Sequence, residues 1–283
     1  MINPTLSEEQ IASFKLNGFL LIPDLIPEEE LIQPDKDSIN LIERGINSPF
    51  GDDRYNYVNE NNERVTKDNN TNDREYLYRI NRINQTDMPE SFTTLLAYPP
   101  LLKAVEQLMG GDIFACSVHA LVFKTPHSPY GAKWHQDPVK LFRYPTFNAD
   151  VYLDKSTPEN GGLWAFPGSH LTGYHDPKNH PDFISSWTKG KPFESTEAVP
   201  VNANRGDVIF HATSVVHGSD RNYTDQLRRT VYYHFDHLLD VQIAGDQWPQ
   251  NMFDKALEIT KSSVVKRAQK HPNEEPYDYK TKL

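Results

Sequence analysis

The sequence predicts a mainly β fold with flanking helices, built as a β-sandwich or jelly roll. Helical spacing is confined to the first 112 residues and to the stretch from Phe253 to Lys270. Between them, short apolar or alternating runs are separated by Pro, Gly, Asn and Asp turns. This rhythm is typical of sandwiches and jelly rolls. Hydrophobic residues make up 37% of the 283 residues, which is enough for a packed core.

The N-terminal elements are defined by their end signals. Ser7 precedes Gln10 by three positions, which predicts a capped helix that ends at Gly18. A short strand, Phe19–Ile22, follows that helix. The acidic stretch Glu28–Ile32 then opens a second helix, because acidic side chains stabilise the positive end of a helix.

The stretch Asn47–Asp73 is polar and rich in asparagine, so it predicts a loop or an exposed hairpin. Two interpretations remain open for it. It is either a solvated excursion without a role or a lid over a pocket, with Tyr55 and Tyr57 as candidate contacts.

Two helices, Ser91–Ala97 and Leu101–Met109, lead into the β-rich part of the chain. We expect a single domain over 1–283, with a helical and loop part (1–112), a jelly-roll core (113–240) and a C-terminal helix and tail (241–283). The tail from His271 is polar and is expected to fray. The predicted strands are Ile113–Phe123, Asp150–Leu153, Leu163–Phe166, Ala198–Val201, Val208–Phe210, Val215–His217 and Arg228–Phe235.

Charge and composition limit the classes of partner. The net charge of −10 disfavours binding to a phosphate backbone, so no nucleic acid partner is expected. No run of about 18 apolar residues occurs, so no membrane partner is expected either. The single cysteine, Cys116, and a start without a secretory signal favour a cytoplasmic location.

A histidine and an aspartate two residues apart on a strand point to the same side, so both can bind one metal ion. A non-haem iron site needs one further ligand and leaves positions open for other molecules. Spacing alone does not choose among the three copies of His-x-Asp in the chain. They are His135-Gln136-Asp137, His180-Pro181-Asp182 and His234-Phe235-Asp236.

Only the first copy is followed by a full set of partners. His217 stands at a predicted strand end before a Gly-Ser turn, and Arg228 follows it by eleven residues. An arginine that enters a buried strand needs an anion, and a carboxylate fits its fork best. These residues suggest iron together with a dicarboxylate cosubstrate. Arg229 is the alternative candidate for binding the cosubstrate, because strand parity does not say which face of Arg228–Phe235 lies inside.

These motifs resemble those of the phytanoyl-CoA dioxygenase family of iron(II)- and 2-oxoglutarate-dependent oxygenases. The matching segments are WHQDP at 134–138, TPENGGLWAFPGSH at 157–170, HGS at 217–219 and the arginine at 228, with the N-terminal LSEEQIASFKLNGFLLIPDLI also typical. The resemblance implies a double-stranded β-helix, the cupin-like form of the jelly roll.

The resemblance also implies roles for single residues and a reaction. Arg228 would clamp the distal carboxylate of 2-oxoglutarate, and Gln136 and Ser219 match positions that contact this cosubstrate in some relatives. A small-molecule substrate, 2-oxoglutarate and O2 would react to give a hydroxylated product, succinate and CO2. Halogenating relatives have a small residue in place of the carboxylate ligand, so its presence here argues for hydroxylation. The implied iron(II) ligands are His135, Asp137 and His217.

One position departs from the family pattern. Asp150 stands where relatives often have tryptophan. If its side chain faces the pocket, it favours a polar or cationic substrate over a fatty acyl chain. The alternative is a solvated acid at a strand end.

Other polar residues have structural interpretations. His234 is expected to be a hydrogen-bonded core histidine or a pocket wall, and Asp236 to end its strand. His211 is expected to brace a turn, with a role behind the metal ligands as the alternative. The aromatic side chains Tyr232, Tyr233 and Phe235 are expected in the core.

A second class of function has to be considered for the same residues. A cupin-like protein that binds a metal or a small ligand without catalysis would have the same fold. Arg228 at the cosubstrate offset argues against it, since a simple binding protein does not need that arginine. A metal-dependent isomerase or a zinc hydrolase is a weaker third choice, because no base is placed near the three ligands.

Overall fold

The computed structural model describes residues 6–47, 52–65, 75–85, 87–111, 114–138, 143–244 and 250–280. Within these ranges the chain forms two antiparallel sheets, and helices flank the larger one. The predicted mainly β fold, a jelly roll with flanking helices, is confirmed.

The larger sheet has eight strands among the described residues, and each strand is antiparallel to its neighbours. Its long central strand carries Arg228 and pairs on both sides with strands that contribute to the cavity described below. In spatial order the strands are β1 (Phe19–Ile22), β10 (Val208–Ala212), β7 (Phe147–Tyr152), β12 (Arg228–His237), β5 (Phe114–Lys124), β4 (Tyr76–Asn81), β2 (Tyr55–Val58) and β3 (Arg64–Val65).

The smaller sheet has four antiparallel strands among those described. It lies opposite the inner face of the larger sheet, and side chains from both sheets line one cavity between them. In spatial order its strands are β6 (Ala132–His135), β11 (His217–Ser219), β8 (Leu163–Ala165) and β9 (Val199–Val201).

The first helix has the predicted ends. Ser7 and Gln10 form a capping box, and Gly18 closes the helix with φ 82°, a backbone conformation that favours glycine. None of the helices in the described ranges is apolar over a length that could cross a membrane. The helices are α1 (Glu8–Asn17), α2 (Glu28–Asn47), α3 (Glu90–Leu96), α4 (Pro99–Met109), α5 (Phe183–Thr188), α6 (Leu238–Ala244) and α7 (Gln250–Lys270).

The two faces of β12 have different environments, which settles the question that strand parity left open. Val231, Tyr233 and Phe235 are fully buried in the main core, where the helices pack on the outer face of the large sheet. Arg228 and Tyr232 line the cavity on the inner face. The expectation that Tyr232 belongs to the core is therefore wrong.

Arg229, the alternative to Arg228, joins the large sheet to α2. Its guanidinium group lies 2.7 Å from the carboxylates of Asp154 and Asp35 and donates a hydrogen bond to the Ser38 hydroxyl. These contacts satisfy its charge outside the cavity, so Arg229 has a structural role.

The polar stretch after α2 is better packed than its composition suggests. Tyr55 and Tyr57 are buried in the main core. Arg44 donates to the Tyr55 hydroxyl, and the Tyr57 hydroxyl donates to the Gly45 carbonyl at 2.7 Å. The two tyrosines anchor a β2–β3 hairpin on α2, so they are not contacts of a lid. Positions 48–51 and 66–73 of the stretch lie outside the described residues, and the lid itself stays a prediction.

The C-terminal tail packs against the core, so the expected fraying is wrong for the described residues. Tyr277 is 5% exposed, and the Tyr279 hydroxyl donates to the Phe114 carbonyl. Arg267 holds the chain beyond α7 through an ion pair of 2.7 Å with Glu274. Aromatic side chains in a polar sequence supply this anchoring.

We expect His119 to make the protein less stable in acid. Burial, with a smaller contribution from Arg82, lowers the pKa of His119 from 6.5 to about 4. The unfolded chain therefore binds a proton between pH 6.5 and 4 that the folded chain does not bind, and stability falls as the pH drops through this window. Between pH 7 and 5 this loss is about 2 kcal/mol.

Urea unfolding of the wild type and of His119→Asn at pH 7 and pH 5 measures this effect. In the wild type the backbone N–H of Asn84 donates to Nδ1 of His119, and an asparagine at position 119 keeps an acceptor for it. We expect the variant to lose about 2 kcal/mol less than the wild type over this interval. An equal loss in both proteins would show that His119 is not the group responsible.

Candidate functional site

The cavity between the two sheets is lined by polar and charged side chains from both. The large sheet contributes Lys124 from β5, Arg228 from β12 and Asp150 from β7. The small sheet contributes His135 and His217 from adjacent strands. The topology therefore brings together residues that are far apart in the sequence.

Two histidines lie side by side on adjacent strands of the small sheet. His217 pairs directly with His135 in the β11–β6 register, and their ring centroids are 4.2 Å apart. The Nδ1 atoms lie 2.7 Å from the Lys133 carbonyl and 2.9 Å from the Val215 carbonyl, so each Nδ1–H donates to the backbone. This tautomer leaves both Nε2 atoms free to bind a metal ion.

Asp137 completes a group of three possible metal ligands. Its Oδ1 lies 3.5 Å from Nε2 of His135 and 4.0 Å from Nε2 of His217. One ligand atom from each of the three residues lies within 4.8 Å of the others. The structure thus brings together the three residues that the sequence singled out, and no other such group occurs among the described residues.

The protonation equilibria of Asp137 and His217 suit metal binding. Burial opposes protonation of His135, but its contact with Asp137 raises the pKa of that histidine. Burial opposes ionisation of Asp137, but its contact with His135 and the nearby imidazole of His217 hold the pKa of the carboxyl well below its usual range. Burial and the neighbouring His135 lower the pKa of His217 to about 3. A carboxylate and a neutral imidazole are the forms that bind a cation.

Asn148 is the central residue of a buried polar cluster that contacts Asp137. No sequence motif singles out Asn148. Asn148 Nδ2 donates to Asp137 Oδ2 at 2.7 Å and to Nε2 of His211 at 2.8 Å. Its Oδ1 lies 2.6 Å from Nδ1 of His234. His211 therefore does more than brace a turn, and His234 is a hydrogen-bonded core histidine as predicted.

Asp236 does not end its strand, because β12 continues to His237. Its carboxylate lies 3.2 Å from Nε2 of His234 and accepts a hydrogen bond from the Ser117 hydroxyl. Burial opposes protonation of His234, but the charge of Asp236 raises the pKa of this histidine. This pairing fixes the His234 ring next to Asn148.

Arg228 and Lys124 form a buried pair of basic side chains on the large-sheet side of the cavity. They are direct partners in the β12–β5 register. Arg228 donates to Thr230 Oγ1 at 2.8 Å and to the Gly161 carbonyl at 3.1 Å, while its Nε has no partner among the described residues. Burial and the repulsion of Arg228 lower the pKa of Lys124 well below its usual value. An anion beside the two groups would accept a hydrogen bond from Arg228 Nε and would favour the charged form of Lys124.

The glycine-rich turn after Pro158 lies against this pair. Gly161 has φ +79°, and a Cβ atom there would lie 2.5 Å from the Asp220 carbonyl and 2.6 Å from Lys124 Cδ. Only glycine avoids both the clash and the backbone strain. The Asn-Gly-Gly segment that the sequence analysis recognised therefore positions a backbone acceptor for Arg228.

The two remaining predicted cosubstrate contacts differ in placement. Ser219 lines the cavity, and its hydroxyl accepts a hydrogen bond of 2.8 Å from Lys124 Nζ. Gln136 is not among the residues that line the cavity. Its amide donates to the Gly173 and Ser214 carbonyls and accepts from the His175 backbone. These bonds hold the following loop in place, and a cosubstrate contact by Gln136 stays a prediction.

Asp150 faces the cavity and is 7% exposed, so the alternative of a solvated strand-end acid is wrong. Its Oδ2 lies 3.2 Å from Nδ1 of His211. Arg79 also lines the cavity, with its guanidinium group 5.0 Å from the centre of the Tyr232 ring. No strand is predicted over β4, so the sequence does not place Arg79 in the cavity.

Comparison with known proteins identifies the family. The model of the phytanoyl-CoA dioxygenase family matches residues 14–230, which is most of the chain. The chain belongs to the phytanoyl-CoA dioxygenase family. The matched range includes every cavity-lining residue named above except Tyr232, so the resemblance found in the sequence motifs is confirmed.

Relatives within the family are distant in sequence. The human peroxisomal phytanoyl-CoA dioxygenase is 26% identical over 258 residues, which cover 85% of this chain and 72% of the human protein. The rat phytanoyl-CoA dioxygenase domain-containing protein 1 is 25% identical over 173 residues. The chain spans 58% of the length of this rat protein, and the match covers 58% of this chain.

Solved structures show the same architecture. AviO1 from Streptomyces viridochromogenes Tue57 has a TM-score of 0.64 at 27% identity, with 80% of this chain and 93% of that chain covered. EctD from S. alaskensis, solved with 2-oxoglutarate and 5-hydroxyectoine, has a TM-score of 0.63 at 20% identity, with 85% and 79% covered. The second likeness supports the predicted cupin-like fold of this family member.

The residues of the cavity fit the cofactors of the family. Two imidazoles and one carboxylate are the ligand set of non-haem iron oxygenases, and their hydrogen bonds present the correct atoms. The unpartnered Nε of Arg228 and the neighbouring Lys124 fit the free carboxylate of a bound dicarboxylate.

Proposed function

We propose that the chain is an iron(II)- and 2-oxoglutarate-dependent dioxygenase that hydroxylates a small-molecule substrate with O2 and releases succinate and CO2. One observation supports this proposal above all others. A His-Asp-His group and a buried Arg-Lys pair line the same cavity. A protein that only bound a metal would not need two buried cations beside the metal ligands.

In this proposal His135, Asp137 and His217 hold the iron ion from one side. Three ligands from one side leave the remaining positions open, which is the arrangement that oxygen-dependent iron enzymes require. Arg228 and Lys124 bind the distal carboxylate of 2-oxoglutarate, and the Ser219 hydroxyl orients the Lys124 ammonium group.

Bound iron and 2-oxoglutarate supply the oxidising chemistry by coupling loss of CO2 to activation of O2. The chain binds, orients and encloses these reactants. The lowered pKa values of Asp137 and His217 favour the unprotonated forms that bind a cation. We expect no general base, because the cofactors carry out the difficult step.

The lining of the cavity favours a polar substrate. Asp150, Arg79 and Tyr232 bring two charged groups and a phenol into the cavity. A fatty acyl chain would remove these groups from water without supplying hydrogen bonds, which is strongly unfavourable. We therefore propose a small substrate with hydrogen-bonding or charged groups.

The first experiment is the anaerobic addition of iron(II) and 2-oxoglutarate to the purified protein. We expect a weak visible charge-transfer band, followed after admission of O2 by CO2 and succinate in equal amounts. Screening polar compounds for faster 2-oxoglutarate consumption, with hydroxylated product measured by mass spectrometry, then identifies the substrate. A band without any CO2 would favour the binding protein, and the absence of a band would contradict the proposed site.

A further inference from the structure

Asn148 is the residue that connects the metal-binding group to the interior of the large sheet. It is the second residue of β7, is fully buried, and pairs with His234 of β12 in the sheet register. Its side chain makes hydrogen bonds to three different side chains. We propose that Asn148 is a positioning residue that holds the Asp137 carboxylate with one oxygen directed at the metal ion. The inference rests on the proposed iron site.

The geometry separates the two oxygens of Asp137. Oδ1 faces the two imidazoles, at 3.5 Å from His135 Nε2 and 4.0 Å from His217 Nε2. Oδ2 instead accepts a hydrogen bond of 2.7 Å from Asn148. A carboxylate oxygen that is bonded to an amide is less available to a metal ion. Asp137 is therefore prepared to bind through one oxygen only.

The orientation of the Asn148 amide is determined by its neighbours. Its Oδ1 lies 2.6 Å from His234 Nδ1, and the pair of His234 with Asp236 fixes that ring. The NH2 group must then point to Asp137 and His211, and it has one hydrogen for each of them. A rotated amide would place its oxygen against the Asp137 carboxylate, where two acceptors repel each other. Every hydrogen-bonding group of the Asn148 side chain is thus used.

This arrangement has a consequence for the open coordination positions. If Asp137 bound through both oxygens, it would occupy one of the positions that the cosubstrate and O2 need. By holding Oδ2, Asn148 keeps that position available and also fixes the carboxylate before the metal arrives. Loss of such an outer hydrogen bond typically costs 10- to 100-fold in metal affinity, as measured for other metal sites.

The test uses cobalt(II) alone as the probe, with the full-length protein freed of metal. Asn148→Ala removes the whole amide, and Asn148→Thr removes it while keeping a side chain of similar volume that suits a strand. Thr260→Val is the matched control. Thr260 is also fully buried, accepts a hydrogen bond from the Cys116 backbone and donates one to the Ala256 carbonyl, but it lies on α7 away from the cavity.

Calorimetric titration measures the affinity for cobalt(II), and the visible absorption of the bound ion reports its coordination. We expect both Asn148 variants to bind 10- to 100-fold more weakly than the wild type and to show an altered cobalt spectrum. We expect Thr260→Val to lower the unfolding temperature of the metal-free protein while leaving affinity and spectrum unchanged.

The outcomes distinguish this inference from the proposed function. If wild-type protein binds cobalt(II) and either folded Asn148 variant binds it with the same affinity and spectrum, the positioning role is wrong and the iron site stands. If the wild type binds no cobalt(II), the proposed site itself fails, and the inference fails with it. The larger side chain of Asn148→Thr provides the measurement if Asn148→Ala does not fold.

Discussion

Asp137→Ala is expected to abolish substrate-dependent succinate formation and to weaken iron(II) binding by well over 100-fold. Removal of an outer hydrogen bond already costs 10- to 100-fold in affinity, and this change removes a ligand and its charge. It also leaves two neighbouring imidazoles without the carboxylate that lies between them. Iron(II) titration under anaerobic conditions and succinate measured by mass spectrometry test both parts.

Asp207→Ala provides the control for this prediction. Asp207 is as buried as a core residue and accepts backbone hydrogen bonds from Asp24 and Asn204 in a turn outside the cavity. This variant should lose stability and keep its iron affinity. Substrate-dependent turnover by Asp137→Ala at the wild-type rate would remove the assignment of Asp137 as a ligand.

Arg228→Gln is expected to raise the KM for 2-oxoglutarate about 30-fold or more. Loss of one partner of a buried, hydrogen-bonded charge pair costs about 2–5 kcal/mol, and each 1.4 kcal/mol is a factor of ten in affinity. The shorter amide cannot form the charged contact to the cosubstrate carboxylate, while metal binding by His135 and His217 does not depend on it. Iron(II) affinity should therefore stay close to that of the wild type.

The adjacent arginine gives a matched comparison on the opposite face of the same strand. Arg229→Gln breaks the ion pairs with Asp154 and Asp35, so we expect it to lose about 3 kcal/mol of stability. Its KM for 2-oxoglutarate should not change. If the two variants exchanged these effects, Arg229 and not Arg228 would bind the cosubstrate.

The sequence was sufficient for the parts of the site that lie in local motifs. His135 ends β6 and Asp137 follows it by two residues, and His217 and Arg228 are tied to recognisable turns and offsets. Strand parity could not choose between Arg228 and Arg229, because both faces of β12 are buried. Only the packing of helices on the outer face decides which arginine enters the cavity.

The residues that sequence reasoning missed depend on contacts between strands. Lys124 is one position beyond an apolar run and reads as its exposed end, yet the β12–β5 register places it beside Arg228. Asn148 has no motif of its own, and its role exists only because β7 runs behind Asp137. For Gln136, the position in a motif does not reveal which backbone groups its side chain contacts. The division of 1–283 into one domain stays a prediction.

The buried Lys124 and Arg228 affect the stability of the folded chain. Burial and the repulsion of Arg228 disfavour the charged form of Lys124 in the folded chain, and this cost opposes the native state. A dicarboxylate that binds between them relieves the repulsion and shifts the folding equilibrium toward the native chain. The supply of a common intermediate of central carbon metabolism would thereby influence how long each molecule survives proteolysis as well as how fast it works.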